Sequence, residues 1–154
     1  MIWSTLSFRR HKGKSLPQIM FQDADWFFHA YENGYFKNGL ASEAHEIYRR
    51  ARSIKVPQRD GRKMLVEYII HSDRNSRSNG KFGTMRLIAE GPGLANLNVA
   101  KSIDFYIPRS YARRDKIGYK NFVSSLKVIL FGNPSKRMNR KACEDFFNDN
   151  SNFD

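Results

Sequence analysis

Hydrophobic positions change period several times along the chain, and each change marks an element. Leu6 and Phe8 alternate with polar neighbours over residues 4–10, which predicts a half-buried strand. Lys12-Gly13-Lys14 then turns the chain, and Leu16-Pro17 opens a short helical turn through Ile19 and Met20, because proline suits a first helical position. With Asp23 or Asp25 as N-cap, Trp26, Phe27, Ala30 and Tyr31 share one face of a following helix that exits at Gly34. Ser42 is the expected start of the next helix, where Ala44, Ile47, Tyr48 and Ala51 recur at helical spacing. Glu43 and Glu46 near its start and Arg49, Arg50 and Arg52 at its end complement the helix dipole. Lys55-Val56-Pro57 closes it, and Gln58 to Lys63 forms a basic linker with a turn signal at Asp60-Gly61.

Met64 to Ile70 is apolar except for Glu67 and predicts a largely buried strand, with Lys81 to Ala89 returning beside it. Between them, His71 to Gly80 makes a long hydrophilic hairpin tip, expected to be mobile. Ile103, Phe105 and Ile107 alternate with Ser102, Asp104 and Tyr106, predicting a strand that Pro108 ends. From Asp115 onward Tyr119, Phe122, Val123, Leu126 and Leu130 share a helical face, beside a stripe of Lys116, Lys120 and Lys127; Leu126 to Phe131 fits helix or strand equally. Asn133-Pro134 has the form of a helix start, with Met138, Ala142 and Phe146 as its apolar side. These elements predict an α+β fold, a small, mainly antiparallel sheet with helices packed on one face.

Length sets the scale: 154 residues suit one domain with a core of its own. Within it we expect a strand-turn-helix module over about 4–56, a basic sheet-and-helix region over about 62–141 and an acidic tail over 142–154. No apolar run approaches the roughly 20 residues of a membrane span, and no signal-peptide pattern follows Met1, so a soluble, cytoplasmic protein with no membrane partner is expected. The single cysteine, Cys143, has no partner for an internal bridge.

Charge alters the picture most. The chain carries a formal net charge of +12. Arg74 to Lys141 holds 15 basic and 3 acidic residues, so this stretch alone accounts for the whole excess. Glu144, Asp145, Asp149 and Asp154 make the tail acidic, which suggests that it masks the basic face. A field of this sign attracts polyanions: nucleic acid, anionic lipid or an acidic protein.

The run Phe8-Arg9-Arg10-His11-Lys12-Gly13-Lys14-Ser15-Leu16-Pro17, followed by Asp23-Ala24-Asp25-Trp26-Phe27, resembles the small C-terminal module of exodeoxyribonuclease X-like proteins. That family carries a signature near Phe-Gly-Lys-Tyr-Lys-Gly-Lys, then an apolar helix, then Asp-Pro-x-Tyr. The resemblance covers about residues 6–36; Arg9 stands where the family has its first glycine and His11 where it has tyrosine. It implies a binding accessory to nucleic-acid enzymes and imports no nuclease site, since the catalytic acids of that class belong to a different domain.

Other chemistry finds little support in the residues. Asp60 and Glu67 have a nuclease-like spacing, but Ile69 stands where Asp/Glu-x-Lys needs its lysine, so Glu67 is better read as the partner of an arginine or as an edge residue. His29, His45 and His71, with Asp23, Asp25 and Cys143, lack zinc-ligand spacing, and Glu144 and Asp145 beside Cys143 work against a reactive thiolate. Gly91-Pro92-Gly93 is a turn and not a phosphate loop, and Trp26, Phe27 and Phe28 belong mainly to the core and not to a base-stacking surface. No cofactor is expected.

The candidate site is therefore a basic surface. Arg74, Arg77 and Lys81 come from the hairpin tip; Arg109, Tyr111, Arg113 and Arg114 interleave cations with an aromatic; Lys116, Lys120 and Lys127 continue along a helix, and Arg137 and Arg140 follow. We read the chain as a non-enzymatic nucleic-acid-binding or accessory protein that contacts the phosphate backbone. The alternatives are a small basic protein, of phage or mobile-element type, docking on an acidic surface of a larger nucleic-acid machine, and a metal-dependent nuclease.

Overall fold

Ser15 ends an extended lead-in, and α1 (Leu16–Glu32) begins beside Pro17, with the Gln18 side chain accepting from the Ser15 N–H at 3.4 Å. The computed structural model describes residues 1–154. In it the expected turn and the expected helix are fused across a kink at Asp23, which leaves helical geometry at φ −156°, ψ 64°. Asp23 Oδ1 accepts from the Trp26 N–H at 3.4 Å, so this residue starts the second half as its sequence position suggests. Trp26, Phe27, Phe28 and Ala30 are all buried, leaving no base-stacking surface there. The strand expected over 4–10 is reduced to a single bridge between Thr5 and Ser15, because left-handed Arg9 (φ 62°) and Gly13 (φ 86°) turn the chain back at once.

Helix α2 (Gly39–Ala51) starts three residues ahead of Ser42, since Leu40 also packs on the core. Strand β1 (Ile54–Lys55) pairs antiparallel with β5 (Ser102–Ile103) in a two-stranded sheet. The hairpin of β2 (Met64–Ile70) and β3 (Phe82–Ala89) joins β4 (Val99–Ala100) in a second sheet ordered β3-β2-β4, antiparallel throughout. The one sheet expected is thus two, within an α+β fold. Glu67 and Arg86 face each other across the hairpin and bond at 2.8 Å. The hairpin tip is a series of turns, with the Gly80 N–H donating to His71 O at 2.8 Å and the Ser76 N–H to Asp73 O at 3.1 Å.

The strand expected over 102–107 stops at Ile103. Asp104 Oδ1 accepts from the Tyr106 N–H at 2.8 Å and bends the chain, and Pro108 lies in the first turn of α3 (Ile107–Tyr111) instead of ending a strand. The apolar alternation still predicts burial correctly at Ile103 and Phe105, both fully buried. Asp115 caps α4 (Lys116–Phe131) by accepting from the Gly118 N–H at 2.9 Å, and the ambiguous segment 126–131 is helical up to left-handed Gly132. Asn133-Pro134 does not start a helix: Asn133 Oδ1 accepts from the Ser135 N–H in a local turn, and Asn139 caps α5 (Arg140–Asn148) instead.

Thirty buried residues from Trp3 to Phe153 form one apolar cluster. Phe122 of α4 packs on Phe82 of β3 and on Phe105, with ring centroids 5.7 and 4.8 Å apart. Phe146 and Phe147 of α5 meet Phe21 of α1 edge-on. The acidic tail is therefore not a loose mask; its apolar residues tie it into the core, and Glu144 and Asp145 pair with Arg140 and Lys141 on their own helix. No helix is long and apolar enough to cross a membrane.

Candidate nucleic-acid interface

The kink in α1 and the loop before it stand opposite α4, and a cleft of about 1170 Å³ opens between them. Spacings of four and eleven residues put Lys116, Lys120 and Lys127 on one flank of α4, and that flank lines the cleft. Arg113 and Arg114 enter from the turn ahead of α4, where Arg114 is held left-handed (φ 58°) while its N–H reaches Asp25 Oδ1 at 3.3 Å. Arg10 and Lys14 come from the opposite wall. Eight Lys and Arg residues line the cleft against three aspartates.

Each of those aspartates is committed locally. Asp23 Oδ2 lies 2.9 Å from His11 Nε2 and 3.9 Å from Arg10, while Asp115 caps α4. Asp25 accepts from Arg109 at 2.9 Å, and the same guanidinium donates to Glu32 at 2.8 Å. Burial would lower the Arg109 pKa, but its bonds to Glu32 and Asp25 hold it above the ordinary value. Burial would likewise raise Glu32, and the Arg109 hydrogen bond outweighs it, so Glu32 sits below its ordinary value. Burial, reinforced by the charge of Asp25, pushes the Tyr119 phenol up, and its hydroxyl donates to Phe105 O at 2.9 Å.

Subtracting these pairs leaves Lys14, Arg113, Arg114, Lys116, Lys120 and Lys127 without any ion-pair partner. Like charges that outnumber the carboxylates at one concave site produce a focused positive potential.

The structure thus brings together five residues singled out in the sequence: Arg113, Arg114, Lys116, Lys120 and Lys127. Arg109 is a correction, since at 5% exposure it is an internal clamp and not a surface cation. Arg74, Arg77 and Lys81 lie on the hairpin tip, outside the cleft lining. Tyr111 is exposed, accepts from Asn98 Nδ2 at 2.9 Å and does not line the cleft. Arg137 is exposed elsewhere, and Arg140 is paired with Glu144 at 2.8 Å. Arg10 and Lys14 were not among the sequence candidates. Their signal was the Lys-Gly-Lys turn, but nothing local shows that this turn faces a helix a hundred residues later.

No group of three or more His, Cys, Asp and Glu side chains is placed to hold a metal ion. His45 meets Tyr31 at 3.0 Å, and Cys143 is buried, its thiol pushed up to about 12 by burial and by Glu144. No family model, curated protein or solved structure matches the chain.

Proposed function

We propose that the protein binds nucleic acid, as an accessory and not as an enzyme, by taking the phosphate backbone into the cleft between α1 and α4. The supporting observation is the set of six unpaired cations converging on that cleft. Lys and Arg that reach phosphates fix position and carry no direct sequence information, so the binding has little base specificity. The N-terminal resemblance implies the same accessory role.

Anisotropy titrations of labelled DNA and RNA across a salt series test the proposal. Saturable binding that weakens steeply with salt, and is lost in Lys120→Glu/Lys127→Glu, supports it. Absence of binding at low salt, with capture of an acidic protein partner instead, overturns it in favour of a protein-docking role.

A further inference from the structure

We propose that the partner is duplex DNA, and that the tip of the β2–β3 hairpin enters its major groove while the cleft holds the backbone; this rests on the nucleic-acid reading above. The first observation is that the tip is fixed by its own turns and then left without a partner. Every hydrogen bond made by His71 to Lys81 ends within that segment: the His71 N–H donates to Lys81 O at 2.9 Å, the Lys81 N–H to Ser78 O at 3.0 Å and the Asn79 N–H to Ser76 O at 3.2 Å. Arg74, Asn75, Arg77 and Asn79 are exposed. Arg74, Arg77 and Lys81 make no ion pair. Asp73 is the one acid of the tip, and its Oδ1 accepts from the Asn75 N–H at 3.0 Å.

The second observation is direction. β3 leaves the tip at Phe82, whose ring lies 5.7 Å from that of Phe122, and two residues later Thr84 Oγ1 lies 2.9 Å from Ser125 Oγ. Contacts that advance together along both elements mean that β3 and α4 run the same way, so the tip, which precedes Phe82, projects toward the start of α4. Lys116 and Lys120 stand at that end, with Arg113 and Arg114 just ahead of it. Phe122 and Ser125 turn one side of α4 to the hairpin, and Lys116 and Lys120 turn another to the cleft. A rod laid across the start of α4 therefore has the cleft cations on one side of the helix and the tip on the other.

Width and chemistry complete the argument. Paired strands stand about 4.8 Å apart before their side chains are added. Such a ribbon fits the major groove of B-form DNA, about 12 Å wide, and not the minor groove, about 6 Å wide. Arginine and asparagine are the side chains that pair in two places with guanine and adenine edges there. Cations on phosphate then set the register, and the tip reads the groove.

The test is anisotropy at low salt with a DNA duplex and an RNA duplex of matched sequence, because A-form RNA has a deep, narrow major groove that side chains cannot read. DNA is expected to bind about tenfold more tightly, and Arg74→Ser/Arg77→Ser should remove that advantage while leaving RNA affinity within about twofold. The same variant should keep the parent's urea midpoint, since neither arginine has a partner in the fold. Lys120→Glu/Lys127→Glu should weaken both duplexes. On DNA, the protein should shield guanine N7, which faces the major groove, from dimethyl sulfate, and Arg74→Ser/Arg77→Ser should restore its reactivity. Tip substitutions that weaken both duplexes equally, or neither, overturn groove entry, as does guanine N7 left fully reactive under saturating protein. Failure of both duplexes to bind overturns the inference, and failure of single strands as well overturns the functional proposal with it.

Discussion

Arg109 and Asp25 stand 84 residues apart in the chain and meet at 2.9 Å, tying α3 to the second half of α1 at the edge of the cleft. Glu32, about two turns further along α1, takes the other arm of the guanidinium. The pairing both neutralises a carboxylate that would repel phosphate and fixes the turn that carries Arg113 and Arg114. Removing the cation leaves Asp25, half-buried, without it. Arg109→Ala is therefore expected to cost about 3–5 kcal/mol in urea unfolding, the usual penalty for breaking a buried pair. A loss below about 1 kcal/mol would show that the clamp is dispensable.

The same clamp sets an acid response. Glu32 lies below its ordinary value of 4.5 because the Arg109 bond outweighs the effect of burial. Its folded pKa is thus below the unfolded one, so its contribution is complete above the unfolded value and is lost as pH falls through the folded value. Between about pH 5 and about pH 3, Glu32→Gln should show a shallower decline in unfolding free energy than the parent. Parallel curves would exclude this linkage.

Lys120 and Lys127 make no ion pair, so changing them leaves the fold nearly intact while altering the field in the cleft. Lys120→Glu/Lys127→Glu should move stability by no more than about 0.5 kcal/mol per site. It should also flatten the slope of log K against log salt by about 1.5, from roughly 0.7–0.9 per phosphate contact. An unaltered slope would place the contacts elsewhere.

Gly118 allows the start of α4 to close. A Cβ built there would lie 2.1 Å from Asp115 Oδ2, so Gly118→Ala must displace the carboxylate that caps the helix. Loss of such a cap costs about 1–2 kcal/mol, measurable as a lower urea midpoint, and should weaken oligonucleotide binding because Lys116 and the turn before it move with the cap. Stability equal to the parent would show that the carboxylate finds another seat.

Cys143 should be silent in the native protein. It is buried, and burial with Glu144 pushes its thiol up to about 12, so almost no thiolate exists near neutrality. A thiol reagent at about pH 8 is expected to leave the folded chain unmodified and to label one site on addition of denaturant. Rapid native labelling would contradict the packing of α5.

Local patterns foretold local structure well. Asp23 and Asp115 were readable as helix starts because a short carboxylate beside an apolar, helical run satisfies free N–H groups wherever the run packs. The β2–β3 hairpin was readable from two apolar runs around a polar tip, and Glu67 found its arginine across it. The pattern failed where a side chain redirected the backbone. Asp104 accepts from the Tyr106 N–H and turns a perfect alternation into a bend, and Asn133 makes a turn where Asn-Pro resembled a helix start.

The candidate site shows the same division. The sequence alone established the excess of positive charge, its concentration between Arg74 and Lys141, and the lysine stripe on one flank of a helix, because composition and helical periodicity are properties of neighbouring residues. Which cations share one cleft was decided by the tertiary structure. Packing buried Arg109 against two acids of α1, left Arg74 and Arg77 on a hairpin tip outside the cleft lining, and carried Arg10 and Lys14 to the same cleft as Lys120 and Lys127. Contacts between α1 and α4 join positions about a hundred residues apart, and the geometry of that approach arises only when the shared apolar core of aromatic rings closes.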